Sequence, residues 1–195
     1  MDVQIGDVMK IKPEQMLSYN DWPYQVTPAE PQTMYERVKT ALQKDESAEV
    51  IRFRDLKMDG KTLLQAIEKW RGILYRLGLR KGDVITLLLP NLPHVPILLY
   101  AANAQGIIVH PLHPLTVTKE LKRTLDHTGS TTLFVFAPLV KKHRELLEDP
   151  KYQVILCEAR DYLVGLERFM MLFKPSPKLH GAMYWSKLSS PVTPE

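Results

Sequence analysis

The sequence predicts an α/β fold in which parallel strands and helices alternate in βαβ layers. The middle of the chain carries this prediction. An apolar strand over residues 84–89 ends at a proline, and an apolar stretch of helical length follows over residues 93–105. A glycine stops that helix, and a short apolar strand over residues 107–109 leads into a charged helix over residues 116–129. Strand, helix, strand and helix with short connections are typical of a parallel sheet.

The elements before this region are predicted from periodicity and turn residues. A first helix is expected over residues 33–44, because apolar side chains recur there at four-residue spacing. Residues 49–53 form a strand candidate. The pair Asp59-Gly60 is typical of a hairpin turn between two strands.

A second amphipathic helix is expected to begin at a capping box formed by Thr62 and Gln65, whose side chains would satisfy each other's free amides. Apolar side chains then recur at three- and four-residue spacing at Leu63, Ile67, Trp70, Ile73, Leu74 and Leu77. Gly78 is expected to end this helix in the left-handed conformation.

The C-terminal part of the chain continues the alternation. Residues 131–136 and 153–157 are predicted to form buried strands, because they are rich in β-branched and apolar side chains. Helices are predicted over residues 138–147 and 161–173. From Lys174 the chain becomes rich in proline and serine.

Three segments occur in an order that resembles a known family. They read LGLRKGDVITLLLPN from residue 77, GIIVHPLHPLTVTKEL from residue 106 and DHTGSTTLFV from residue 126. This order resembles the N-terminal part of the AMP-forming acyl-CoA synthetases, members of the adenylate-forming superfamily. The resemblance extends from Trp22 to the C-terminus. His113 stands where the family usually has an asparagine, so no functional role is carried over to that position.

The resemblance implies three regions. Residues 1–32 would be an N-terminal strap, in which Trp22-Pro23 resembles the family's aromatic-proline opening. Residues 33–174 would be the α/β N-terminal subdomain of an AMP-binding synthetase. Residues 175–195 would be a tail rich in proline and serine that leads toward an ATP loop beyond the chain. The long segment after the turn at Gly129 is similar to that of long-chain acyl-CoA ligases.

The same resemblance implies an activity for the complete enzyme. Such an enzyme uses ATP and Mg²⁺ to convert a carboxylic acid to an acyl-adenylate, and coenzyme A then displaces AMP. The family's ATP loop and catalytic lysine are expected beyond Glu195, so we assign no catalytic, cofactor-binding or metal residue to this chain. We expect an N-terminal fragment of a fatty acyl-CoA synthetase that is incomplete as a catalyst and has a medium- or long-chain substrate.

Two alternatives remain open at this stage. The chain could be a non-catalytic module that self-associates or pairs with a separate polypeptide. It could also be a flavodoxin-like nucleotide-binding domain, with its ligand at the carboxyl ends of the strands. The expected partners are the remaining part of the synthetase or a second copy of the chain, together with a fatty acid.

Composition excludes several other classes of protein. With 45% hydrophobic and 25% charged residues, the chain of 195 residues is expected to be globular. The net charge of +4 is dispersed. The basic segments at residues 76–81 and 141–144 are interpreted as solvated surfaces, and no nucleic-acid partner is expected.

The compartment is inferred from cysteine usage and hydropathy. Cys157 is the single cysteine and is expected to be a small buried hydrophobe, so no disulfide forms within the chain. Residues 1–12 lack the pattern of a signal peptide, and no apolar run is long enough to span a membrane. A cytoplasmic protein is expected. The helix over residues 161–173 would pack on the sheet or on the absent portion, with peripheral membrane contact as the alternative.

Three motifs that could carry chemistry receive structural interpretations. The segment 128–132 is predicted to be a turn from a helix to a strand, not a phosphate loop. His110 and His113 are interpreted as loop-packing residues, and His113 is expected to hydrogen-bond the following turn. Glu158 and Asp161 are interpreted as loop or capping carboxylates with no base beside them.

Overall fold

The structure is a computed structural model of the chain, and it describes residues 32–173 and 175–189. Apart from Gln32, the predicted strap at residues 1–32 lies outside the described residues. The end of the predicted tail, residues 190–195, lies outside them as well.

The described residues form alternating helices and strands. The helices are α1 (Met34–Lys44), α2 (Gly60–Arg76), α3 (His94–Asn103), α4 (Thr118–Thr128), α5 (Val140–Leu147), α6 (Gly165–Leu172) and α7 (Trp185–Leu188). The strands are β1 (Glu49–Phe53), β2 (Leu56–Asp59), β3 (Val84–Leu88), β4 (Ile108–Pro111), β5 (Thr132–Phe136), β6 (Gln153–Cys157) and β7 (Met183–Tyr184).

Five strands form one parallel sheet in the order β4-β3-β5-β6-β7. Strands β1 and β2 form a separate antiparallel hairpin. The chain passes from β3 through α3 to its neighbour β4, and then through α4 to β5 on the other side of β3, because parallel strands require crossover connections. The predicted α/β fold with a parallel sheet and βαβ layers is confirmed.

The central strands of the sheet are covered on both faces, so most of their side chains are apolar. On β5, Phe134 packs in the cluster that contains the buried side chains of α2 and α3. The neighbours Leu133 and Val135 pack in the opposite cluster, with the buried side chains of α4 and α5. Successive side chains of a strand point to opposite faces, which is why one strand contributes to both clusters.

Most element boundaries agree with the sequence to within one or two residues. The predicted strands at residues 49–53 and 153–157 coincide with β1 and β6. Gly78, with φ of 89°, follows α2, and Gly129, with φ of 68°, caps α4 in the left-handed conformation. The helix-ending roles predicted for these two glycines are therefore confirmed.

The prediction of a hairpin turn at Asp59-Gly60 is wrong. The hairpin turn instead lies between β1 and β2, where Arg54 adopts φ of 51°. Asp59 ends β2 and caps α2, since its Oδ1 accepts a hydrogen bond of 2.8 Å from the Thr62 amide. The predicted capping box at Thr62 is wrong for the same reason, because Thr62 already lies in the first turn of the helix.

The C-terminal region departs furthest from prediction. The helix expected over residues 161–173 is divided into a 3₁₀ turn at Ala159–Tyr162 and helix α6. An extended pair and Gly165, with φ of 58°, separate the two. Strand β7 and helix α7 were not predicted. None of the described helices is both long enough and apolar enough to cross a bilayer.

Candidate functional site

The carboxyl edge of the sheet is the candidate site. Strand β3 lies between β4 and β5, the two strands that follow it in the sequence. The chain leaves β3 toward the face covered by α3, and it leaves β5 toward the opposite face, which α5 covers. In open α/β sheets this arrangement leaves a crevice beyond the carboxyl ends of the strands, where ligands bind.

A cavity of about 500 Å³ opens beyond β3 and β4. Its lining residues are Leu87, Leu89, Pro90, Asn91, Val95, Pro111, Leu112, His113 and Pro114. Asn91 and His113 contribute the polar side chains, and the other lining side chains are hydrocarbon. The volume lies in the range of small-molecule sites in proteins.

The loop after β4 forms one rim of the cavity and is held in place from two sides. The Nδ1 atom of His113 accepts a hydrogen bond of 3.1 Å from the Leu115 amide, which confirms the predicted bond to the following turn. The Lys142 ammonium on α5 donates to the carbonyl oxygens of Leu115 and Thr116, each at 2.9 Å. The rim is therefore fixed before any ligand binds.

The two histidines of this loop do not form a metal site. His110 lies with its Nδ1 3.4 Å from the Thr86 hydroxyl, and burial lowers the pKa of this imidazole. Within the described ranges, no group of three His, Cys, Asp or Glu side chains could hold a metal ion.

Helix α3 begins at the site, but its N-terminus is poorly suited to phosphate. Pro93 caps the helix and Pro96 lies in its first turn, and neither residue has an amide hydrogen. The amide of Val95 is already bonded to the Leu92 carbonyl at 2.9 Å. A phosphate site at a helix N-terminus requires free amides, and the first turn of α3 has few of them.

Toward β6 the same edge of the sheet is closed by a buried aromatic cluster. His94 Nε2 lies 2.9 Å from Asp161 Oδ2, and both side chains are buried. The imidazole lies edge-on to Tyr162 and Trp185, with ring centroids at 4.7 and 4.4 Å. The expectation that Asp161 has no base beside it is wrong.

Burial decides the charge state of this pair. Desolvation lowers the pKa of His94, and this effect exceeds the opposing influence of Asp161. His94 is therefore neutral near pH 7, and its Nε2–H donates to the carboxylate. Asp161 Oδ2 also accepts a hydrogen bond of 2.8 Å from the Glu158 amide. The pair is inaccessible to substrate, and its geometry fits a structural role at the edge of the sheet.

The segment 128–132 is the turn from a helix to a strand that the sequence predicts. Gly129 caps α4, and the hydroxyl of Ser130 accepts a hydrogen bond of 2.8 Å from Thr86 within the sheet. The hydroxyl of Thr128 donates to the Thr124 carbonyl one turn earlier in α4. These hydroxyls are engaged by protein atoms, as expected for a structural turn.

The interpretation of Cys157 is confirmed, whereas the solvated surface expected at residues 141–144 is wrong for His143, which is buried. Cys157 is fully buried in the core, and burial raises the pKa of its thiol. Arg80 in the basic segment donates to the carbonyl oxygens of Tyr75 and Leu79, and its guanidinium stacks on the Tyr75 ring at 3.9 Å. Its contacts are local to the connection between α2 and β3.

Comparison with known proteins identifies the class to which this fold belongs. The family model described as "AMP-binding enzyme" matches residues 38–174, which is more than half of the chain. The chain belongs to this family. The predicted resemblance to AMP-forming acyl-CoA synthetases is thereby confirmed.

Curated relatives include long-chain-fatty-acid–CoA ligases. The long-chain-fatty-acid–CoA ligase of Salmonella typhimurium is 32% identical over 88 residues, which are 45% of this chain and 16% of that protein. The ligase of the same name from Yersinia pestis is 37% identical over 59 residues, 30% of this chain and 10% of that protein. The matched segment is thus a small part of each relative.

Solved structures share the fold at low sequence identity. Coronafacic acid ligase from Pectobacterium brasiliense aligns with a TM-score of 0.65 at 15% identity, over 80% of this chain and 29% of that protein. The o-succinylbenzoate CoA synthetase of Bacillus subtilis aligns with a TM-score of 0.56 at 22% identity, over 64% and 25%. The chain therefore has the fold of one region of these enzymes.

Proposed function

We propose that this chain is the N-terminal part of an ATP-dependent fatty acyl-CoA synthetase and cannot complete the reaction alone. The family match over residues 38–174 carries the proposal. The long-chain-fatty-acid–CoA ligases among its relatives support a fatty acid as the substrate. The complete enzyme would form an acyl-adenylate and then an acyl-CoA thioester.

The contribution of this chain to that reaction is the sheet and its carboxyl edge. Two segments that could have held phosphate are poorly suited to it, because the first turn of α3 contains Pro96 and follows Pro93, and the hydroxyls of Thr128 and Ser130 are engaged internally. We place ATP, Mg²⁺ and coenzyme A on residues outside the matched segment. The principal partner is then the remainder of the synthetase. A cytoplasmic location suits the single buried cysteine.

A chimera tests this proposal. Residues 38–174 replace the matching segment of the Salmonella typhimurium ligase, and acyl-CoA formation from hexadecanoic acid, ATP and coenzyme A is measured. The control chimera carries Phe134→Asp, which places a charge in the core. We expect activity above that of the control. A folded chimera with no more activity than the control would contradict the proposal.

One observation favours a second candidate, a non-catalytic module that self-associates. Helix α6 presents an apolar stripe to solvent, formed by Leu166, Phe169, Met170 and the adjoining Phe173, with exposed fractions of 55–76%. A stripe of this kind is unusual on a protein that has no partner. The same stripe would also be covered if the remaining part of a synthetase packed there.

A further inference from the structure

A second, smaller cavity lies next to the cavity at the carboxyl edge of the sheet. Its volume is about 270 Å³, and it is lined by Ile51, Arg52, Phe53, Asn91, Leu92, Pro93, Val95 and Pro96. Asn91 and Val95 line both spaces. The two spaces adjoin at these shared residues and are together called the edge groove, which has the loop after β4 at one end and the hairpin β1–β2 at the other.

The lining of the edge groove is suited to hydrocarbon. Five prolines border it, namely Pro90, Pro93, Pro96, Pro111 and Pro114. A proline has no amide hydrogen, so it leaves no unpaired donor facing an apolar ligand. Most of the other lining residues are leucine, valine, isoleucine or phenylalanine.

The edge groove is poorly suited to an anionic group. Arg52 is the basic residue of its lining, and its guanidinium is ion-paired with Glu49 at 2.6 Å. The prolines of α3 also remove amides that could bind phosphate or carboxylate at the helix N-terminus. The lining therefore selects the apolar part of a ligand over its charged end.

We propose that the edge groove binds the hydrocarbon chain of a long-chain carboxylic acid, with the carboxyl group left outside the groove. This inference rests on the proposed function and names the surface on which the acyl chain of the substrate lies. Parallel strands β3 and β4, helix α3 and the loop fixed by Lys142 form rigid walls, so the groove exists before the ligand binds. Its larger space alone has the volume of a small-molecule site.

The test is direct binding of cis-parinaric acid, a naturally fluorescent fatty acid with 18 carbons, to the complete chain without ATP. Saturable binding at one site is expected. Displacement by saturated fatty acids should strengthen by about two- to fourfold per added methylene group, as burial of hydrocarbon requires. Absence of saturable binding would overturn the proposal.

Variants locate the site. Val95→Trp fills the point where the two spaces meet and should weaken binding at least tenfold. Asn91→Trp occludes the same point from an exposed position and keeps the test valid if Val95→Trp fails to fold. The matched control Val164→Trp lies outside the groove and should leave affinity within twofold.

Phe169→Ser tests the competing apolar surface on α6. Binding that survives Asn91→Trp and Val95→Trp but is lost in Phe169→Ser would overturn the proposal, because the fatty acid would then adsorb to the α6 stripe. The binding assay and the chimera assay test the two proposals independently. Groove binding with an inactive chimera would contradict only the proposed function, whereas an active chimera with unaltered binding in the groove variants would contradict only this inference.

Discussion

His94 and Asp161, 67 positions apart in the sequence, form a buried hydrogen bond of 2.9 Å between Nε2 and Oδ2. The bond joins the start of α3 to the 3₁₀ turn that follows β6. It therefore fixes the end of the sheet next to the edge groove. The carboxylate has a second role, since it also caps the turn by accepting from the Glu158 amide.

Removal of this carboxylate should destabilise the fold. Asp161→Ala leaves the imidazole N–H and the Glu158 amide without their acceptor in a buried place, and we expect a loss of about 2–4 kcal/mol of unfolding free energy. Urea denaturation measures it. The control Asp126→Ala removes an exposed ion pair with Lys122 and should cost less than about 1 kcal/mol. Equal costs for the two variants would contradict the structural role of the buried bond.

The same imidazole makes stability depend on pH. Burial lowers the pKa of His94 below its ordinary value of about 6.5. The unfolded chain therefore takes up more protons than the folded chain as the pH falls below about 6.5. The unfolding free energy therefore carries no penalty from His94 above that pH, and it decreases as the pH falls below it. His110 and His143, whose pKa values burial also lowers, act in the same direction.

The contribution of His94 is isolated by comparison. His94→Gln does not titrate but keeps an N–H donor, so the slope of unfolding free energy between about pH 6.5 and 5 should become smaller. The wild-type chain, measured over the same pH range, gives the reference slope. If His94→Gln had the same slope as the wild type, burial of a neutral imidazole at this position would be refuted.

Two glycines should respond in opposite ways to alanine. Gly106 adopts φ of 69°, and a Cβ there would lie 2.8 Å from Lys81 Cγ, so Gly106→Ala should cost about 1–3 kcal/mol. Gly72 lies inside α2, and the nearest atom to its Cβ would be 3.6 Å away, so Gly72→Ala should stabilise by about 0.5–1 kcal/mol. Thermal denaturation of both variants compares them, and effects of the same sign would contradict this geometry.

The apolar stripe of α6 should make the isolated chain self-associate. The sequence-based expectation that this helix packs its apolar side chains on the sheet is wrong, because Leu166 and Phe173 are 72% and 76% exposed. Analytical ultracentrifugation should show association that increases with concentration. Phe169→Ser combined with Phe173→Ser should reduce it, as well as the binding of hydrophobic dyes. A wild-type chain that stays monomeric and binds no dye would contradict this expectation.

Local signals account for the parts of the fold that could be predicted. The apolar run that forms β3 is bounded by Gly82 and Pro90, and the apolar face of α2 repeats at helical spacing. The pair Asp59-Gly60 is equally compatible with a hairpin turn and a helix start. The two residues alone therefore do not decide between the two structures.

Long-range contacts account for what the sequence did not predict. Strand β7 has only two residues and pairs with β6, and Trp185, which follows it directly, stacks on Trp70 with ring centroids 3.6 Å apart. The bond between His94 and Asp161 likewise depends on the fold. Among the prolines of the edge groove, Pro90 is predicted from the sequence to end a strand. Their convergence follows from the strand order, which no local pattern specifies.

The most direct test of the central claim is isothermal titration of the 195-residue chain with Mg²⁺-ATP, with the Salmonella typhimurium ligase as a positive control. If this chain supplies the sheet and the edge groove while ATP binds elsewhere in the synthetase, the chain gives no saturable heat and the control does. Saturable binding of ATP to the chain alone would contradict the account and make it a nucleotide-binding domain in its own right.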